Sequence, residues 1–178
     1  VRTEIINLRA ILALPKATEF FLSDIHGEFD AFRHFVRSGS GMIRKRIDEV
    51  YGKILCEKDC DALASLIYNP DAEFARRRKS EDNYEDWCRI SIIRLIEICR
   101  VVSSKYTRSK VKKRLFPASS YIMDELLFSD DVVDREFYYE EIIKSIIEYG
   151  SAEDFIRDLT TVISNLTVDR LHIIGDIF

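Results

Sequence analysis

A chain of 178 residues, 47% of them hydrophobic, holds enough apolar material for one domain with a real core, or slightly more than one. Its charged residues, 33% of the total, nearly cancel at a net −4, which excludes the basic field of a nucleic-acid binder. No apolar run approaches the ~20 residues that cross a bilayer, and the amino terminus shows no charged-then-apolar leader. A cytoplasmic protein with no nucleic-acid or membrane partner is therefore expected.

Ile5, Leu8, Ile11 and Leu12 recur at helical spacing before Pro15 and predict a leading helix within 1–16. A strand over 19–23 follows, tipped by Asp24-Ile25-His26-Gly27. While the backbone stays extended, Asp24 and His26 lie on one side of it and Ile25 on the other, so two ligands can share one ion. Gly27 leaves room for close backbone approach. Glu28 to Ser38 predicts an amphipathic helix through Phe29, Phe32, Phe35 and Val36, stopping at Ser38-Gly39-Ser40-Gly41.

From Met42 to Val168 the pattern changes: there is no glycine between Lys53 and Tyr149, and only Pro70 and Pro117 interrupt the stretch. Helices must dominate it. Cys88, Ile92, Leu95, Cys99 and Val102 form one apolar stripe; Tyr139, Ile142, Ile143 and Ile146 form a second; Phe155, Leu159, Val162 and Leu166 form a third. Gly150 predicts a helix end, with the Ser151 hydroxyl capping the next helix. Glu140 and Lys144 stand at i,i+4 as an exposed ion pair. Arg76-Arg77-Arg78-Lys79 reads as a solvated face. Cys56, Cys60, Cys88 and Cys99 are too sparse for a disulfide framework, and Cys56 with Cys60 lacks two ligands of a zinc site, so small buried thiols are expected.

Leu171, Ile173 and Ile174 predict a second strand, and Gly175 leaves Asp176 at its carboxyl end, the edge where open parallel sheets place ligands. A simple βαβ unit takes roughly 30 residues, yet Asp24 and Asp176 are 152 positions apart. A helical insertion must divide the two strands. The expected fold is α/β and helix-rich: residues 1–41 form the first part of a two-strand parallel core, 42–168 a mostly helical insertion, and 169–178 the second core strand, truncated. The chain starts at Val1 and stops shortly after Asp176, so it is expected to be a piece of something longer.

A carboxylate and an imidazole from one strand, with a second carboxylate from another, suit a divalent cation such as manganese, iron or zinc. The second Asp can bridge two ions, the arrangement used in phosphoester hydrolysis. Asp-x-His or Gly-Asp alone is common by chance; their joint appearance after two apolar runs favours the metal reading.

Phe21-Leu22-Ser23-Asp24-Ile25-His26-Gly27-Glu28, Glu85-Asp86-Trp87, Arg94-Leu95-Ile96-Glu97, the stretch from Cys99 through Arg100-Val101-Val102-Ser103-Ser104-Lys105-Tyr106-Thr107-Arg108 to Val111, and Asp169 to Phe178 together resemble the class III bacterial fructose-1,6-bisphosphatases, distant relatives of the calcineurin-like metallophosphoesterases. The resemblance covers nearly the whole chain. It implies hydrolysis of the 1-phosphate of fructose 1,6-bisphosphate, giving fructose 6-phosphate and phosphate in gluconeogenesis, with manganese as activating metal. Asp24 and His26 would bind the first Mn2+ and Asp176 would bridge it to the second. The superfamily continues into an Asp-Arg-Gly turn, an Asn-His-Glu motif and further histidines, which this sequence lacks. The isolated chain is accordingly expected to be inactive.

Lys105, Arg108 and Lys110, near Tyr106, are candidate donors for a second substrate phosphate or a phosphorylated small-molecule effector; a solvated surface or an interface within a homo-oligomer is the competing reading. His34 is expected to be structural or exposed. His172 shares a strand side with Ile174 and Asp176, and a packed core histidine is favoured over one that supports the metal ligands. Two other functions stand beside the main one: another phosphomonoesterase of the same superfamily, and a helical regulatory or assembly module in which the acids merely cap turns.

Overall fold

The computed structural model describes residues 1–128 and 135–177. Among them the order is α1 (Arg2–Leu12), β1 (Glu19–Leu22), α2 (Phe29–Ser38), α3 (Met42–Tyr51), α4 (Glu57–Tyr68), α5 (Pro70–Ser80), α6 (Tyr84–Ser103), α7 (Arg108–Lys112), α8 (Ser120–Phe128), α9 (Glu136–Glu148), α10 (Ala152–Thr167) and β2 (Arg170–Ile173). The architecture is α/β and helix-rich, with one parallel strand pair, as the residue patterns predict. No helix among the described residues is long and apolar enough to cross a membrane. Phe178, the last residue of the resemblance, lies outside the described residues.

The 3.6-residue period decides the core. On α6 the stripe Cys88, Ile92, Leu95, Cys99 and Val102 is buried, and on α10 Phe155, Leu159, Val162 and Leu166 are buried, joined by Ile156 and Ile163. These two helices pack together at the centre, with Ile43 and Ile47 of α3, Leu66 and Ile67 of α4 and Met123 of α8 filling in around them. The α9 stripe is less sheltered: Ile143 and Ile146 are buried, while Tyr139 and Ile142 stay partly exposed against the core.

Helix ends follow local chemistry. Gly39 stops α2 at φ +55°, where its N–H reaches the carbonyls of Phe35 and Val36. A Cβ at that position would also press on Thr167 Cγ2 at 3.1 Å, so a side chain is disfavoured both by the backbone and by its neighbour. Asn69 and Asn83 cap α5 and α6 through their side chains, and Pro70 occupies the first turn of α5.

Several local expectations are corrected. Ser151 precedes α10 at φ −95° and ψ 3° and makes no side-chain capping bond, because a cap hydroxyl reaches the N2 or N3 amide from an extended backbone. Lys144 pairs with Glu141 and Glu148, one turn on either side, instead of Glu140. Cys60 is buried, but Cys56 is exposed: it occupies the N-cap position of α4 and its thiol meets Asp59 Oδ2 at 3.2 Å. The apolar face of α1 is left open, with no buried residue in the helix. The basic run at 76–79 is a solvated face as expected, with Arg76, Arg77 and Arg78 also paired to Glu73, Glu81 and Glu153.

Candidate metal centre

Both strands run the same way, in the register Glu19↔Arg170, Phe20↔Leu171, Phe21↔His172 and Leu22↔Ile173, so their carboxyl ends reach one rim. The ladder continues past the strands: the Ile174 amide donates to Leu22 O at 2.9 Å and the Ile25 amide to Asp176 O at 2.7 Å. The Asp176 amide then donates to Asp24 Oδ1 at 2.9 Å. Two residues remote in sequence are thereby fixed as neighbours, and the Asp24 carboxylate is oriented by a backbone donor.

Gly175 makes that approach possible. A Cβ there would run into Asp24 Oδ1 and would lie 2.6 Å from the carbonyl carbon of Ser23, closer than real side chains come. The same hairline fit explains why the second apolar run must end in Gly-Asp.

His26 departs from the extended geometry assumed for it. Its φ is +48° and Gly27 follows at +69°, so the chain turns through the left-handed region directly after Ile25. The alternation that would align Asp24 with His26 therefore ends before His26. Asp24, His26 and Asp176 are all exposed at the rim. Among the described residues no group of three His, Cys, Asp or Glu side chains converges closely enough to hold a metal ion. Two carboxylates and an imidazole nevertheless form a suitable donor set for a manganese-type cation, though an octahedral ion seeks about six donors. The donor types suit one side of such a site, but the three side chains are not brought together here.

His172 is neither in the core nor at the rim. It is partly exposed, stacks on its cross-strand partner Phe21 at 4.7 Å, and sets Nε2 3.3 Å from Glu19 Oε2. With both sheet faces thinly covered, a strand position that would be central in a larger sheet stays open here. His34 is exposed and meets the Tyr68 ring edge-on at 5.4 Å.

The basic segment gathers around two carboxylates. Lys105 is nearly enclosed, its side chain 10% exposed, with Nζ 2.8 Å from Asp169 Oδ2, 3.0 Å from Thr167 O and 3.3 Å from Thr18 Oγ1. Lys110 Nζ stands 3.5 Å from Asp169 Oδ1 and 4.1 Å above the Tyr106 ring. Arg108 and Lys112 both engage Asp124 Oδ2, at 2.8 and 2.9 Å. The Lys105 cluster touches Thr18 and Asp169, at the amino ends of the strands. At about 3.3 Å per extended residue, the six steps from Thr18 to Asp24 put it on the order of 20 Å from the rim.

Asp169 is the residue that pattern reading passed over. Burial acts to raise its pKa, but hydrogen bonds from Lys105, Tyr106 and the Thr18 amide outweigh that and hold it down at about 2. Burial and the Asp169 charge together push the Tyr106 hydroxyl upward. An acid immediately before an apolar strand run was the available signal; nothing in the spacing links it to Lys105, 64 positions earlier.

A family model described as Firmicute fructose-1,6-bisphosphatase matches residues 1–178. The chain is 52% identical over 177 residues to a fructose-1,6-bisphosphatase class 3 of Clostridium acetobutylicum, 49% identical to one of Alkaliphilus metalliredigens, and 51% identical to one of Clostridium botulinum strain Alaska E43, in each case over 99% of this chain. It spans 27% of the length of each of these relatives. No solved structure matches it. The agreement of a family match over the whole of this chain, half-identical relatives and a rim that joins the two motifs leads to one assignment: the chain belongs to the Firmicute fructose-1,6-bisphosphatase family.

Proposed function

We propose that the full-length protein containing this chain is a cytoplasmic phosphatase that removes the 1-phosphate of fructose 1,6-bisphosphate, releasing fructose 6-phosphate and phosphate in gluconeogenesis. Family membership supports the substrate, and the single structural observation behind the site is the 2.9 Å bond from the Asp176 amide to Asp24 Oδ1.

Manganese, bound as a pair of ions, would supply neutralisation of the phosphoryl charge and activation of water. This chain's own residues have more limited tasks. Asp24 presents a carboxylate with one oxygen fixed by an amide and the other available. Asp176, on the second turn, would supply a further carboxylate, and His26 would add a nitrogen donor from the tight turn after β1. Three donors cannot satisfy two ions, so the remaining ligands come from elsewhere in the full-length protein and this chain by itself is inactive. Arg108 and Lys110, each about half exposed, would have to exchange their present partners, Asp124 and Asp169, to take up a phosphorylated effector. Lys105 is committed to Asp169.

The test is a manganese titration of the full-length protein and of its Asp24→Asn and Asp176→Asn variants, assayed on fructose 1,6-bisphosphate, phosphopeptides and dinucleotides. Severe loss of sugar-phosphate turnover with an unchanged circular dichroism spectrum is expected for both variants. Preference for a phosphopeptide or dinucleotide would move the protein to another phosphomonoesterase class. Full activity in both variants would leave only a helical assembly role.

A further inference from the structure

Seven polar contacts converge where the helical segment meets the strands, at the end opposite the rim. Asp169 N and Arg170 N donate to Thr18 O at 2.9 and 3.3 Å, and the Thr18 amide returns a bond to Asp169 Oδ2 at 2.9 Å. This reciprocal ring closes the parallel pair just before its first registered residues. Lys105 then clamps the ring through Thr18 Oγ1, Thr167 O and Asp169 Oδ2, and Tyr106 donates to Asp169 Oδ1 at 2.5 Å. Asp169 is 7% exposed and Lys105 10%, so the pair is shielded from water and salt.

The strands need such a fastening. Four registered pairs with no fully buried residue make a sheet that is marginal by itself. Its other ties to the helices are few: α10 runs directly into β2, and Phe20 rests against Phe35 at 5.9 Å. Parallel strands joined at one end keep their register along their length, because a slip by one residue turns every side chain to the other face. Whatever sets the pairing at Thr18 and Asp169 also sets which residue meets Asp24 at the far end.

We infer that Asp169, held by Lys105 and Tyr106, is a positioning residue: a latch between the α6–α7 segment and the strand pair that fixes the approach of the Asp24 and Asp176 turns from about 20 Å away. Movement of the α6–α7 segment is thereby transmitted to the rim. The catalytic meaning of the latch rests on the phosphatase reading, whereas its mechanical meaning does not.

The experiment is amide hydrogen exchange on the full-length protein, comparing wild type with Asp169→Asn. That substitution keeps the shape and removes the charge that Lys105 and Tyr106 grip. Expected is a rise in exchange at the Ile25, Ile174 and Asp176 amides about tenfold larger than the rise at Ile98 in α6 and Leu159 in α10, which reports the overall loss of stability. In parallel, the manganese concentration for half-maximal activity rises while turnover at saturating metal is retained, a split that general loss of stability does not give. Unchanged rim amides in Asp169→Asn would overturn the latch, even if Asp169 N and Arg170 N exchanged faster. Should Asp169→Asn unfold throughout, Tyr106→Phe, which removes a single bond, is judged by the same criterion. A wild type that shows no phosphatase activity while its rim amides respond to Asp169→Asn would overturn the functional proposal and leave the latch standing.

Discussion

Asp176 donates its backbone amide to the side-chain oxygen of Asp24, at 2.9 Å and across 152 positions of sequence. The contact passes over Gly175, whose missing side chain is what lets the two turns close. Gly175→Ala would force the turns apart, because the colliding atoms include Ser23 backbone, which cannot swing away as a flexible side chain would. Overpacking of this kind costs about 1–3 kcal/mol, and displacing a catalytic group by about 1 Å can cost about 10²-fold in rate. The expected result in the full-length protein is a loss of turnover of that order with the helical circular dichroism signal retained. Undiminished turnover in Gly175→Ala would show that the Asp24–Asp176 approach is not needed.

The depressed pKa of Asp169 makes its contribution to stability pH-dependent with a definite sign. The carboxylate titrates at about 2 in the folded chain, below the ordinary Asp value of 3.8, so the unfolded state binds the proton first as pH falls. Stability from this group is complete above pH 4, and is lost as pH drops from about 4 through about 2. A shift of this size corresponds to about 2 kcal/mol. Acid unfolding of the intact protein and of Asp169→Asn should therefore differ by roughly that amount well above pH 4, with the difference shrinking towards pH 2 and vanishing below it. Asp124 and Glu153 are also held low by basic partners, and comparison with the single variant removes their contribution.

Legibility in the sequence followed periodicity. The α6 and α10 stripes were readable because a helical period fixes which side chains share a face, and burial then follows from the cost of leaving an apolar face in water. The rim was readable because Asp24 and Asp176 each end an apolar run that alternation and length mark as a strand. His26 was not, since a non-glycine residue at φ +48° leaves no trace in composition and an extended reading places it wrongly. Lys105 and Asp169 were invisible as a pair for another reason: neither belongs to a period, and only the packing of α6 against α10 brings their segments together. The open face of α1 shows the converse, a correct helical pattern whose apolar stripe has no cover among the described residues.

Packing of α6 on α10 supports the rim as well as the core, because α10 continues through Val168 into β2. Leu159, fully buried near the centre of that contact, has no polar role to confuse the outcome. Leu159→Ala is expected to destabilise the protein by about 3 kcal/mol, through lost transfer energy and a residual cavity. Guanidinium unfolding should show this as a lower midpoint with an unchanged slope. A change below about 0.5 kcal/mol, the range of ordinary surface substitutions, would mean that α6 and α10 are not closely packed in solution.

Thiol chemistry separates the four cysteines by burial. Burial alone pushes Cys99 up to about 12, and burial, partly offset by a bond from Tyr84, takes Cys88 to about 11. Cys60 is buried and likewise raised, first by burial. The thiolate is the nucleophile, so these three are doubly protected at neutral pH, by closure and by protonation. Cys56 is exposed at the start of α4, open to a reagent in solution. Titration with an aromatic disulfide at pH 7.5 should therefore modify Cys56 rapidly among these four, with Cys60, Cys88 and Cys99 reacting only after denaturant is added. Rapid labelling of Cys99 in the native protein would contradict the α6–α10 core, because no route to that sulfur exists while the two helices stay packed.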